Sequence, residues 1–113
     1  MIVEVGEKLH ITYRRMFPED VVRHFVGIVV RVTDLAIRLK GFVWVFNSGK
    51  GTFIRKPDMV ERIFFPDDAQ IINVLPQNAE IEQITYMNDP TKGMGITDGR
   101  TFFLEITEFS AMR

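Results

Sequence analysis

Cysteine is absent from this 113-residue chain, which excludes disulfides and thiolate-bound metal. That absence agrees with a reducing compartment, and a cytoplasmic location is the expectation. Histidine is nearly absent: His10 and His24 fit neither H-x-H nor H-E-x-x-H spacing, so no metal site is expected and both read as exposed strand residues. Serine occurs only as Ser48 and Ser110, neither with the His and Asp context of a nucleophilic triad. Asp67 and Asp68 are adjacent, and neighbours on an extended chain point to opposite faces, so they read as loop caps rather than as paired carboxylates. No catalytic residue and no cofactor are expected. Long apolar runs are also missing. Phe25 to Val30 is short and Leu35 to Phe46 carries Arg38 and Lys40, so neither spans the roughly 20 apolar residues of a bilayer core. MIVEVGEKLH has no basic start followed by an apolar stretch, so no secretory leader is expected.

What is present is an ordinary globular balance, 46% hydrophobic and 26% charged, in a length typical of one domain. The net charge of −1 conceals an asymmetry. From Lys8 to Arg62 there are 11 Lys/Arg against 5 Asp/Glu, whereas from Ile63 to Arg113 there are 3 against 8. A polyanion could meet the basic half. Alternatively, the halves neutralise one another within one fold or across a subunit contact.

The dominant period is two, the signature of half-buried strands. Leu9, Ile11 and Tyr13 alternate with Lys8, His10 and Thr12. His24 to Val32 and Leu35 to Phe46 form two long strands joined tightly at Thr33-Asp34, with Gly27 and Gly41 inside them where bends are expected. Asn47-Ser48-Gly49-Lys50-Gly51 signals a hairpin returning through Thr52 to Lys56. Arg62 to Phe65, Gln70 to Leu75 and Ile81 to Met87 read as further strands. Phe17-Pro18-Glu19-Asp20 reads as a turn or one helical turn. Thr97-Asp98-Gly99-Arg100 signals a second hairpin, closing on a strand from Thr101 to Thr107. About eight short strands with almost no helix predict an all-β fold. Strands that bend on themselves lose their exposed edges, so a small, strongly bent β-barrel is expected over residues 7–86, with a C-terminal β-hairpin extension over 87–113. A flat sandwich is the alternative.

One surface stands out. In Leu35 to Phe46 the odd positions are aliphatic and face the core. The even positions Arg38, Lys40, Phe42, Trp44 and Phe46 form a stripe of two cations followed by three aromatics. With Lys50, Arg55 and Lys56 nearby, this stripe suits a subunit interface, where aromatics and Arg are enriched. It also suits a single-strand nucleic-acid platform, where bases stack on rings between cations. Cover by the C-terminal hairpin is the third reading, and a bulge at Gly41 would void the stripe.

At Phe25 to Lys40, FVGIVVRVTDLAIRLK resembles the first signature of the Sm-like family, with Gly27, Val29, Val32, Asp34, Ile37 and Leu39 in order. Gln70 to Ile84 sits where that family carries its second signature. The resemblance covers about the middle two-thirds of the chain and implies a bent five-stranded barrel with a ring-forming habit. It does not bring the family's RNA pocket. The RNA-contacting asparagine would fall on Ile37 or Arg38, the Arg-Gly of the second signature is Leu75-Pro76, and the N-terminal helix is replaced by a strand. An SH3-like barrel of the translation-associated kind fits Gly6 to Tyr13 followed by Phe25-Val26-Gly27 equally well.

Two phosphate motifs fail. Gly49-Lys50-Gly51-Thr52 has Trp44 where a phosphate loop needs glycine, and a strand rather than a helix follows. Arg14-Arg15 with Asp34-Leu35-Ala36 resembles the PilZ pattern, but Leu39 stands where that pattern has glycine. The reading is a non-enzymatic binding or assembly module, expected as a homo-oligomer without membrane attachment. The alternative is a single-stranded RNA- or DNA-binding barrel.

Overall fold

The computed structural model describes residues 2–13, 22–67 and 69–106. Nine strands and one 3-10 turn account for the regular structure of those residues. The turn expected at Phe17 to Asp20 lies outside them. By contact the chain falls into two compact units, residues 1–77 and 78–113.

The first unit is a six-stranded antiparallel sheet. Its strands are β1 (Lys8–Tyr13), β2 (Arg23–Val32), β3 (Ile37–Asn47), β4 (Thr52–Arg55), β5 (Val60–Phe64) and β6 (Gln70–Val74). They run in the order β4-β3-β2-β1-β6, and β5 pairs with the other half of the β3 edge that β4 uses. Alternation puts Leu9, Ile11, Phe25, Val29, Leu39 and Val43 on one face, where with Ile37 and Phe64 they form the core. Fully burying an aliphatic or Phe side chain is worth about 1.5–3 kcal/mol, so this cluster is the main favourable term in the unit.

The sheet is sharply curled. Tyr13 on β1 and Phe64 on β5 are separated by two intervening strands, yet their ring centroids lie 5.8 Å apart. On a flat sheet the same positions would be about 30 Å apart, given the usual strand spacing and rise. The bend coincides with a glycine pair. Gly27 opposes Gly41 in register, and a Cβ on Gly27 would stand 2.8 Å from the Lys40 carbonyl oxygen. A Cβ on Gly41 would run into the Val26 carbonyl oxygen. β2 and β3 therefore approach more closely here than any side chain allows, as expected for glycine inside bent strands.

Curling does not become closure. Among the described residues no ladder joins β6 to β4 or β5, so the expected closed barrel is replaced by an open, bent sheet. Glycine supplies the bend, but closure needs a further set of backbone pairs that the described residues of this unit do not make. The register irregularity sits in β2 between Val29 and Arg31, not at Gly41, so the parity of β3 is preserved through the stripe.

The 47–51 hairpin forms as expected. Its amides turn inward, with Lys50 and Gly51 donating to the Asn47 carbonyl at 3.2 and 2.8 Å, and Gly51 takes a φ of +67°. A loop folded in on its own carbonyl offers no amide cradle for phosphate.

The second unit is a three-stranded antiparallel sheet, β7 (Thr85–Asp89), β8 (Gly93–Thr97) and β9 (Phe103–Glu105). It is more than a hairpin, because the end of the strand expected at Ile81 to Met87, placed with the barrel up to residue 86, belongs to β7 and pairs with β8 instead. Residues Ile81–Gln83 form a 3-10 turn rather than the start of a strand, which places Ile81 and Ile84, both buried, on one side. Asp98 ties this unit together. Its carboxylate accepts hydrogen bonds from the amides of Glu80, Arg100 and Thr101 at 2.8–3.1 Å and from the Thr101 hydroxyl at 2.6 Å. Burial works against its charge, but those four donors together hold the carboxyl well below the usual range.

Candidate functional site

The face of the first sheet opposite the core carries every stripe residue, and it divides at Gly41. On one side Lys40 is exposed and Arg38 half-buried, with Arg38 reaching Glu61 at 3.9 Å. On the other side Phe42 and Trp44 retain only 6% and 7% exposure, and Phe46 is half-buried. Lys50 and Lys56 are exposed on and after the hairpin, and Arg55 is half-buried.

Register explains the company these rings keep. One row across the sheet runs Asn73, His10, Val26 and Phe42; the next runs Ile71, Thr12, His24, Trp44 and Arg55. The Arg55 guanidinium carbon lies 4.3 Å from the Phe42 ring centroid, a cation–π geometry. The Phe53 ring lies 4.6 Å from His24 and 5.3 Å from Phe46. Arg55 is thus positioned by packing on Phe42, while Arg38 and Lys40 point from the open half of the face. The eight residues singled out from sequence share one sheet region without forming one exposed site.

The histidines were read as exposed, and the structure corrects this: His10 is fully buried and His24 nearly so. Both occupy the even rows with the aromatics. His10 Nε2 lies 3.3 Å from His24 Nδ1, and Asn73 Nδ2 lies 3.1 Å from His10 Nδ1. One arrangement of neutral rings satisfies both contacts: Asn73 donates to His10 Nδ1, and His10 Nε2–H donates to His24 Nδ1. Burial, and next the neighbouring His24, lower the His10 pKa to about 3; burial lowers that of His24 to about 4. At neutral pH the pair is therefore an uncharged hydrogen-bonded element. The signal in the sequence was their shared parity with Phe42 and Trp44 once the strands pair, which needs the register to be known.

Among the described residues no cluster of three or more His, Cys, Asp or Glu could hold a metal ion, and no helix is long and apolar enough to cross a membrane. Asp67 caps its loop by accepting from the Ala69 amide at 2.8 Å. Comparison with protein-family models, curated proteins and solved structures finds no match.

Proposed function

We propose that this chain is a non-enzymatic assembly module that associates with copies of itself through the open edges of its first sheet. The observation that carries the reading is the character of β6. An unpaired edge presents a row of backbone donors and acceptors, and a strand meant to stay single is usually protected by charge or proline. The outer edge of β6, Gln-Ile-Ile-Asn-Val, is unpaired among the described residues and has neither, and Ile71 and Val74 are 52% and 62% exposed. At the other end of the sheet the outer edge of β5 is unpaired among the described residues, and Ile63 and Phe65 are 53% and 65% exposed there.

β6 of one copy against β5 of the next is a head-to-tail contact, which yields a ring if the rotation closes. The Sm-like resemblance agrees with such a habit. Gly27 lies in a bent β2, Asp34 in the turn, and β3 follows as the second apolar strand. Against it stand the open sheet and the departure of residues 81–89 from the first sheet. Light scattering coupled to size exclusion tests the reading. Multiples of 13.1 kDa are expected, reverting to monomer in Ile71→Lys; a monomer at every concentration refutes it.

Single-stranded RNA or DNA binding through Arg38, Lys40, Phe42 and Trp44, helped by Lys50, Arg55 and Lys56, is the second reading. The exposure of Lys40, Lys50 and Lys56 favours it. A stacked base needs an open ring face, however, and the burial of Phe42 and Trp44 weighs against it.

A further inference from the structure

The sheet face opposite the core carries a second feature, which shares Ile63 with the β5 edge. Where β2 bulges, Arg31 falls directly opposite Arg38 in register, so both side chains leave the sheet on one face. Like charges placed opposite one another across an antiparallel pair destabilise it, and bulges commonly serve to re-aim a side chain. Both arginines line a pocket of about 130 Å³, together with Thr33, Ala36, Ile37 and Ile63. The Thr33 hydroxyl is committed to its own turn, accepting from the Leu35 and Ala36 amides at 3.3 and 3.1 Å. That leaves the two arginines as the charged groups around an otherwise mainly apolar floor.

Their charge is under-compensated. Arg31 is exposed and has no acidic partner among the described residues. Glu61 reaches Arg38 only at 3.9 Å and also stands opposite Lys40 in register. Asp34 is exposed in the adjoining turn but does not line the pocket. The two arginines that line the pocket are therefore offset only by Glu61 beside Arg38 and by Asp34 in the adjoining turn, and the site attracts the charge of about −1.5 to −2 on a phosphate monoester near neutral pH. Paired guanidinium groups bind phosphate oxygens in bidentate fashion. We infer that the Arg31–Arg38 pocket binds a phosphate monoester, the phosphate between the guanidinium groups and the apolar part of the ligand against Ala36 and Ile63.

Thermal unfolding with phenyl phosphate as the probe tests this, against sodium chloride at equal ionic strength. Phenyl phosphate at about 10 mM is expected to raise the wild-type Tm by about 6 °C, the shift that a site half-filled near 1 mM gives. Arg31→Gln and Arg38→Gln should each abolish that shift. Arg31→Gln, by relieving the like-charge contact, should itself unfold at a Tm equal to or above that of wild type in ligand-free low salt. The variant's own Tm shows whether it still folds. Two short oligonucleotides, identical except for a 5′-phosphate, identify the source of the phosphate. Preference for the phosphorylated one, lost in Arg31→Gln, places a nucleic-acid end in the pocket and keeps the inference. No shift with phenyl phosphate, a shift that persists in Arg31→Gln, or binding indifferent to the terminal phosphate overturns it.

Discussion

Lowering the pH from 7 to 5 should destabilise the first sheet by about 4 kcal/mol, all of it through His10 and His24. In the unfolded chain both titrate near 6.5, whereas in the fold burial, and next the neighbouring His24, hold His10 to about 3 and burial holds His24 to about 4. The unfolded state therefore binds up to two more protons than the folded state throughout this window, and stability falls as pH falls. Each group contributes about 1.9 kcal/mol between pH 7 and 5, with a limiting slope of about 1.4 kcal/mol per pH unit. A domain of this size has roughly 5–15 kcal/mol in total, so the loss is a large fraction. The assay is urea unfolding at pH 7, 6 and 5, followed by the emission of Trp44, the single Trp. Carboxylates contribute little above pH 5, which isolates the histidines. In His10→Leu/His24→Phe the dependence should vanish, whatever the variant's absolute stability. A wild-type midpoint that does not move, or a double variant that moves as much, would refute the neutral buried pair.

Trp44, at 7% exposure, should emit at short wavelength and resist acrylamide, and adding single-stranded oligonucleotide at low salt should leave that emission unchanged. Gly41→Ala should cost about 3 kcal/mol or more, since its Cβ would meet the Val26 carbonyl and the Gly27 Cα and overpacking against backbone cannot relax cheaply; the urea midpoint reports it. Asp98→Ala removes the acceptor of four hydrogen bonds and should destabilise the second unit by about 2–3 kcal/mol. Amide exchange at Glu80, Arg100 and Thr101 should then accelerate, with the core amides of β2 unchanged.

The all-β character, both glycine-marked hairpins and the two faces of β3 were legible because each depends on local spacing. Alternation survived from Ile37 to Phe46 since the one irregularity lies in β2, at Val29 and Arg31, whereas Leu35, expected on the core face, is 76% exposed in the turn before β3. Closure was not legible: Gly27 and Gly41 announce a bend, but whether β5 meets β6 is decided by tertiary placement. The burial of His10 and His24 was hidden for a related reason. A strand covered on both faces looks half-exposed when its second face carries His and Thr rather than aliphatics. Ile81 and Ile84 misled because apolar residues three apart in a short segment suit a 3-10 turn as well as a strand. The pocket at Arg31 and Arg38 could not be read at all, because those residues become neighbours only through the bulged register.

The claim on which the functional reading rests is that the uncharged edge of β6 is a contact surface. Light scattering on wild type and Ile71→Lys, over a hundredfold range of concentration, tests it directly. The account predicts an oligomer whose mass is a multiple of 13.1 kDa and a monomeric, folded Ile71→Lys. A wild type of 13.1 kDa throughout, or an oligomer untouched by Ile71→Lys, contradicts it.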